Sequence, residues 1–371
     1  MILNYLELKN FRLHKHTTIN FSQKLNYIIG GNGQGKTSLL EAIYYLCTSK
    51  SLTQSSDSEA VTFNNSFFEI TGEFNNGSKN YIQVLYNNEN GKKVIFLNSK
   101  QVYRSSSIIG KFPVVTLTQS DHFITAGSPS HRRKFIDSVI SQSSETYLKM
   151  LLEYNKILRQ RSSLLSKIKE TKNPIFSDEL EAWTKTLIKT GAEIIKHRLL
   201  FVKDFEKFVA DSFKEIMEEK EIPKIKYMFL QNGDENINIE ELFERLLIKK
   251  RHEEIIRGLN LVGPHRDDFI FFINGFELKK YGSQGQNKTF QIALKFGQFF
   301  YMQDKLNKTP VFLMDDVFGE LDSNRVKKIS KFLREVGQAF ITLTDFANSE
   351  FLTKSEDDLM ISLNNGVVAS A

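Results

Sequence analysis

Up to about Leu117 the chain alternates apolar and polar residues, with Leu6 and Leu8, Ile19 and Phe21, Phe68 and Ile70, Ile82 and Val84, and Val94 and Phe96 each two positions apart. Asn-, Gly- and Ser-rich stretches separate these segments, which predicts strands joined by turns in an antiparallel layer. One helical stretch interrupts them, with Leu39, Leu40, Ile43 and Leu46 spaced for a buried face. From about Asp121 to Gly258 the period becomes helical. Residues 145–172 and 178–221 are long and charged, with Leu180, Trp183, Leu187 and Ile194 along one stripe. The break at residues 171–174 separates them, and neither sustains enough heptads for a long coiled coil. An all-helical lobe with at most a short protrusion is expected.

Strand character returns at FIFFINGFEL, where Asn274-Gly275 between alternating Phe and Ile residues predicts a two-residue hairpin. A polar loop, a helix carrying Ile292, Ala293 and Phe296, a strand Val311-Phe312-Leu313-Met314, a helix with Val326, Ile329 and Leu333, and a strand over residues 340–343 follow. The predicted layout is an α/β lobe built from residues 1–120 and 259–371, with an inserted helical lobe at 121–258. The chain has 371 residues, 40% of them hydrophobic and 25% charged. That is an ordinary globular balance, and no apolar run approaches the ~18 residues of a membrane span. The strand-like start MILNYLELKNFR lacks a signal peptide's apolar stretch, so a cytoplasmic protein is expected. Cys47 is the only cysteine, which excludes an intrachain disulfide and a cysteine metal cluster. The formal charge of +6 is compatible with a polyanionic partner without requiring one.

The most informative segment is GGNGQGKTS, which fits G-x-x-x-x-G-K-[ST] through Gly30, Gly35, Lys36 and Thr37 between an apolar strand and a helix. Backbone N–H groups of Asn32, Gly33, Gln34, Gly35 and Ser38 are candidates to surround phosphate oxygens at a helix N-terminus. Lys36 would neutralise the terminal phosphates of ATP, and the Thr37 hydroxyl would ligate Mg²⁺. The acids such a loop requires come almost three hundred residues later. Asp315 and Asp316 end a buried strand, Asp315 to hold the Mg²⁺ shell and Asp316 to orient or deprotonate the attacking water. The alternative for either aspartate is a cap on the following turn. A second anion-seeking helix start, YGSQGQNKTF, follows Tyr281. One nucleotide is already cradled by the first loop, so a second subunit is the simplest use for the other.

GSQGQ resembles the signature loop of ABC-type ATPases, with Ser283, Gly285 and Gln286 matching and Gln284 standing where glycine is usual. ELD at 320–322 similarly resembles their D-loop, with Asp322 as its acid. The ordered set NFR (10–12), GNGQGKTS, GSPSHRRKFID (127–137), GPHRDD (263–268), GSQGQ and DDVFGELD resembles the RecF family of bacterial recombination mediators over nearly the whole chain. The resemblance implies an ABC-type ATPase head with an antiparallel β layer and a helical lobe. It also implies an ATP-dependent homodimer in which the signature loop of one protomer covers the nucleotide of the other. Sequence-independent binding to duplex DNA at single-strand gaps, RecR-like and RecO-like partners and support for RecA loading are implied with it, and Arg12 joins the nucleotide contacts. Two departures stand out: TQSD at 118–121 replaces the family's proline and acid around the Q-loop candidate Gln119, and no switch histidine stands near Thr344-Asp345. Slow hydrolysis is expected.

For DNA the candidates are Arg132, Arg133, Lys134, Arg159 and Arg161, within a helix start and a lobe helix also carrying Lys156, Lys167, Lys169 and Lys172. Backbone binding needs such a basic surface and no base-reading code. The alternative is a solvated face with i,i+4 partners. His265, Arg266, Asp267 and Asp268 would line a nucleotide or dimer interface, or form a buried turn network. Two other functions use a phosphate loop: the nucleotide-binding subunit of a membrane transporter and a small-molecule kinase. The basic lobe argues against the first, and GSQGQ and ELD against the second.

Overall fold

The computed structural model describes residues 1–173, 175–217, 221–231, 238–320, 323–344 and 355–370. The chain forms two compact units, Met1–Asp121 with Asp211–Glu219 and Ile292–Ala371, and His122–Ala210 with Lys220–Gln291. Among the described residues the first unit holds two six-stranded sheets.

One is the expected antiparallel layer, in the order His14–Asn20, Ile2–Phe11, Phe67–Asn75, Lys79–Asn87, Lys92–Leu97, Lys100–Val102. Its alternation is explicit in Phe67–Asn75, where Phe68, Ile70 and Phe74 point inward. The other sheet runs Val367–Ser370, Leu359–Asn364, Leu25–Ile29, Ala339–Leu343, Val311–Asp315, Val114–Thr118, parallel except for the first strand. Strands buried on both faces read as continuous apolar runs, as Val311-Phe312-Leu313-Met314 does. Helix Lys36–Thr48 packs Leu39, Leu40, Ile43 and Leu46 into one core with Leu6, Leu8 and Phe68 of the antiparallel sheet and Ile28, Leu313 and Phe340 of the parallel one. Each such side chain contributes about 1.5–3 kcal/mol on burial. Cys47 lies in this core, and burial pushes its thiol pKa up.

Register places the site. Asp315 pairs with both Thr342 and Thr118, and Ile29 with Leu343, so three strand ends and the phosphate loop share one edge. Ligands of open α/β sheets sit at such carboxyl ends.

The second unit is mainly helical, through Pro129–Ser143, Glu145–Thr171, most of Ile175–Met217, and Ile239–Arg257. It also carries a small antiparallel sheet, Phe276–Glu277, Asp268–Ile273, Pro223–Met228; the first two are the expected hairpin strands, and Pro223–Met228 lies in the stretch where helix alone is expected. Ile225 and Tyr227 alternate with Lys224 and Lys226, a period-two signal too short to stand out between helices. Because Pro223–Met228 pairs along the whole of Asp268–Ile273, residues 259–291 group with this unit, whereas the sequence places them in the α/β lobe. The Asn274-Gly275 hairpin forms as expected, with positive φ at both positions and Ile273 facing Phe276. No helix among the described residues is long and apolar enough to cross a membrane.

Candidate functional site

The phosphate loop joins Leu25–Ile29 to helix Lys36–Thr48, with Gly33 and Gly35 at φ 77° and 99°, where a Cβ would be strained. Lys36 Nζ donates to the carbonyls of Gly30 (2.6 Å) and Gly31 (2.9 Å), folding the side chain back over the loop. Burial lowers its pKa, against the Asp316 and Asp315 carboxylates, which raise it.

The two ends of the chain meet here. Thr37 Oγ1 lies 3.0 Å from each carboxylate oxygen of Asp315. Thr342, on the neighbouring strand, donates to Asp315 Oδ1 (2.8 Å) and accepts from the Asp316 amide (2.9 Å). Burial raises the Asp315 pKa, opposed by the hydrogen bonds from Thr342 and Thr37. Asp316 adopts a left-handed φ of 48°, and its carbonyl accepts from Gln119 Nε2 at 3.5 Å. A cavity of about 200 Å³ opens between these groups, lined by Leu13, residues 32–38, Asp315 and Asp316. Asn32, Gly33, Gln34, Gly35, Lys36, Thr37 and Ser38 are thus brought together with both acids. Gly30 supplies a carbonyl to Lys36 and does not line the cavity.

Arg12 is also outside the lining. Its guanidinium forks onto Glu41 through Nε (2.9 Å) and Nη2 (3.0 Å), neutralising a carboxylate that is only 2% exposed. Thr342 and the buried His14, which bonds the Gly35 carbonyl, were not singled out from sequence. A buried polar residue within an apolar strand, as in Ile341-Thr342-Leu343, is the signal that could have marked the first.

Ser283 caps the helix Gln284–Leu306: its hydroxyl accepts from the Gln286 amide (3.1 Å), while Gln286 Oε1 accepts from the Ser283 amide (2.9 Å). This reciprocal capping leaves Ser283 and Gln284 exposed, with Gly285 behind them half-buried. The signature segment lies in the second unit. Asp322 lies outside the described residues.

A family model described as an AAA domain matches residues 5–308. The DNA replication and repair protein RecF of Chloroherpeton thalassium is 40% identical over 357 residues, covering 93% of this chain and 95% of its own. The chain belongs to the RecF family. A solved structure of the recombination mediator protein RecF with ATP superposes with a TM-score of 0.89 at 33% identity, covering 100% of this chain and 97% of that one. An Smc head domain from Pyrococcus furiosus shares the fold alone, with a TM-score of 0.57 at 17% identity, covering 99% of this chain and 95% of its own. The chain is thus a RecF-type recombination mediator of the ABC-type ATPase class, and neither the transporter-subunit nor the kinase reading is favoured.

Two of the RecF-family motifs prove to be one structural network. Arg132, buried, forks onto Asp268 (2.7 and 2.9 Å), and Arg133 donates to the Asp267 carbonyl. Arg198, buried on the helix Ile175–Met217, binds Asp137 (2.9 Å) and the Pro264 carbonyl (2.7 Å). His265 takes the Tyr154 hydroxyl at Nδ1 (2.8 Å) and faces the Asn260 carbonyl with Nε2, while Arg266 donates to that same carbonyl. All four residues 265–268 are therefore engaged inside this unit, which fits the turn-network alternative. Arg161 is a correction too: 1% exposed, it pairs with the fully buried Glu254 at 2.6 Å. Arg132 and Arg161 are withdrawn from any DNA surface because each is itself buried on a carboxylate, half-buried Asp268 and fully buried Glu254, and Arg133 is partly withdrawn. Lys134 and Arg159 remain exposed, with Lys156, Lys167, Lys169 and Lys172.

Proposed function

We propose that this RecF-family chain is an ATP-driven clamp that binds DNA at single-strand gaps as a homodimer and releases it on hydrolysis. The observation that carries the reading is the convergence of Thr37 and Asp315, 278 residues apart, beside the glycine loop. The cavity of about 200 Å³ is smaller than the ~300–1,000 Å³ of a site enclosing a whole ligand, so it suits the phosphate end of ATP. Lys36 would leave the Gly30 and Gly31 carbonyls for phosphate oxygens, and Asp316 would receive the attacking water.

Mg²⁺ fits the donors present. Two hard oxygens 3.0 Å apart match neighbouring ligands of an ion with bonds of ~2.1 Å, and Thr37 and Asp315 would hold it to offset phosphate charge. Hydrolysis would be slow, since no histidine stands near Thr344-Asp345. The exposed Ser283 would cover the partner's phosphates, with Gln284, Gly285 and Gln286 shaping that contact. The exposed lysines and Arg159 of the lobe would meet the DNA backbone, and RecR-like and RecO-like proteins would be the partners in RecA loading.

Sizing chromatography with light scattering tests the reading. The wild type should dimerise with ATP and Mg²⁺, further with a gapped duplex, and Lys36→Met should abolish both nucleotide binding and dimerisation. Equal ATP-dependent dimerisation by Lys36→Met would overturn it.

A further inference from the structure

The phosphate loop is braced by two segments that no nucleotide motif contains. His14, fully buried at the start of strand His14–Asn20, places Nε2 at 3.1 Å from the Gly35 carbonyl and Nδ1 at 3.1 Å from Thr17 Oγ1. Thr17 Oγ1 reaches the Gly366 carbonyl at 3.0 Å. From the other side, the turn between Leu359–Asn364 and Val367–Ser370 donates the Gly366 amide to the Gln34 carbonyl (3.0 Å) and the Asn365 amide to Gln34 Oε1. The fit is close: a Cβ on Gly35 would lie 3.0 Å from His14 Nε2, and one on Gly366 only 2.4 Å from the Leu13 carbonyl.

A carbonyl can only accept, so Nε2 carries the hydrogen toward Gly35, and the bare Nδ1 and the Gly366 carbonyl share the single hydrogen of the Thr17 hydroxyl. Burial lowers the His14 pKa, which suits this neutral form. The Gly35 carbonyl also accepts the first helical bond, from the Leu39 amide at 3.1 Å. The peptide that starts the helix and ends the phosphate loop is thereby held from both sides.

We propose that His14 is a positioning residue for nucleotide binding: with Thr17 and the Asn365-Gly366 turn it fixes the Gln34-Gly35 peptides in the conformation that receives phosphate. The proposal rests on the ATP-binding reading above. Its consequence is that affinity depends on a hydrogen-bond donor at the Nε2 position, because a loop ordered in advance loses less freedom on binding.

The test is titration of the full chain with ATP and Mg²⁺, paired with thermal melts. His14→Phe fills the space without a donor and should bind ATP about tenfold more weakly, the effect of one lost hydrogen bond. His14→Gln, whose amide reaches the Nε2 position, should stay within about threefold of the wild type. If the wild type binds, Lys36→Met does not, and His14→Phe matches the wild type, the role of His14 is refuted while the phosphate-loop reading stands. If Lys36→Met binds as the wild type does, both fall together. Should His14→Phe fail to fold, His14→Gln against His14→Asn decides, since the shorter amide reaches only the Nδ1 position. Equal affinity of those two overturns the proposal, and tighter binding by His14→Gln supports it.

Discussion

Replacing Arg161 by methionine separates a structural arginine from a DNA-binding one. Its guanidinium donates to Glu254 (2.6 Å), Asn260 Oδ1 (2.6 Å) and Thr184 Oγ1 (2.9 Å), with Arg161 1% and Glu254 0% exposed. Methionine keeps most of the aliphatic packing, so the cost is chiefly electrostatic. Glu254 would keep the Leu261 amide but lose its counter-charge, a change worth about 3–5 kcal/mol out of the ~5–15 that typically holds a domain together. In Arg161→Met/Glu254→Met the stranded charge is gone; the Asn260 acceptor is unpaired in both variants, and the Leu261 amide, which loses Glu254, adds about 1–3 kcal/mol in the double one. The double variant should therefore be more stable than the single one. Urea unfolding followed by Trp183 reads this locally, because the chain's single tryptophan packs on the cluster of Leu164, Leu165, Ile168 and Leu180. DNA binding against salt supplies the second arm: the slope should be unchanged for Arg161→Met in its folded range, whereas loss of a phosphate contact lowers it by about one. Stability within about 1 kcal/mol of the wild type together with a reduced slope would refute the reasoning.

Two further outcomes are expected. Asp267 accepts from the Tyr227 hydroxyl and the Leu230 amide, yet burial raises its carboxyl from 3.8 to about 6. The folded state thus holds this proton more tightly than the unfolded one, and the associated ~3 kcal/mol is present below pH 3.8 and lost as pH rises through about 6. Asp267→Asn should remove that component, so a stability difference from the wild type that is constant between pH 4 and 7 would count against it. Ser283→Arg should bind ATP without dimerising, while its mixture with Lys36→Met should regain hydrolysis through one intact composite site per heterodimer; a mixture no more active than either variant alone contradicts the shared-site geometry.

Much of the fold and half of the candidate site were legible because they are local. Glycines at set spacing, an apolar strand before them and a helical stripe after them specify the phosphate loop. Val311-Phe312-Leu313-Met314 announces a strand covered on both faces, and Asn274-Gly275 a tight hairpin. These patterns record which side of an element leaves water, and they need no knowledge of what covers it. The partners across the chain were decided only by tertiary structure. Parallel register brings Thr342 and Gln119 to the acid pair, and the pairing of Pro223–Met228 with Asp268–Ile273 draws residues 259–291 into the helical unit. His14 reads as one more polar residue in a basic stretch until the Gly35 carbonyl is set against it. Arg132 and Arg161 carry the same charge in sequence as Arg159, but Asp268 and Glu254 draw the first two inside while Arg159 stays in water. A side chain's charge is its own property, whereas its solvation belongs to whatever the fold packs beside it.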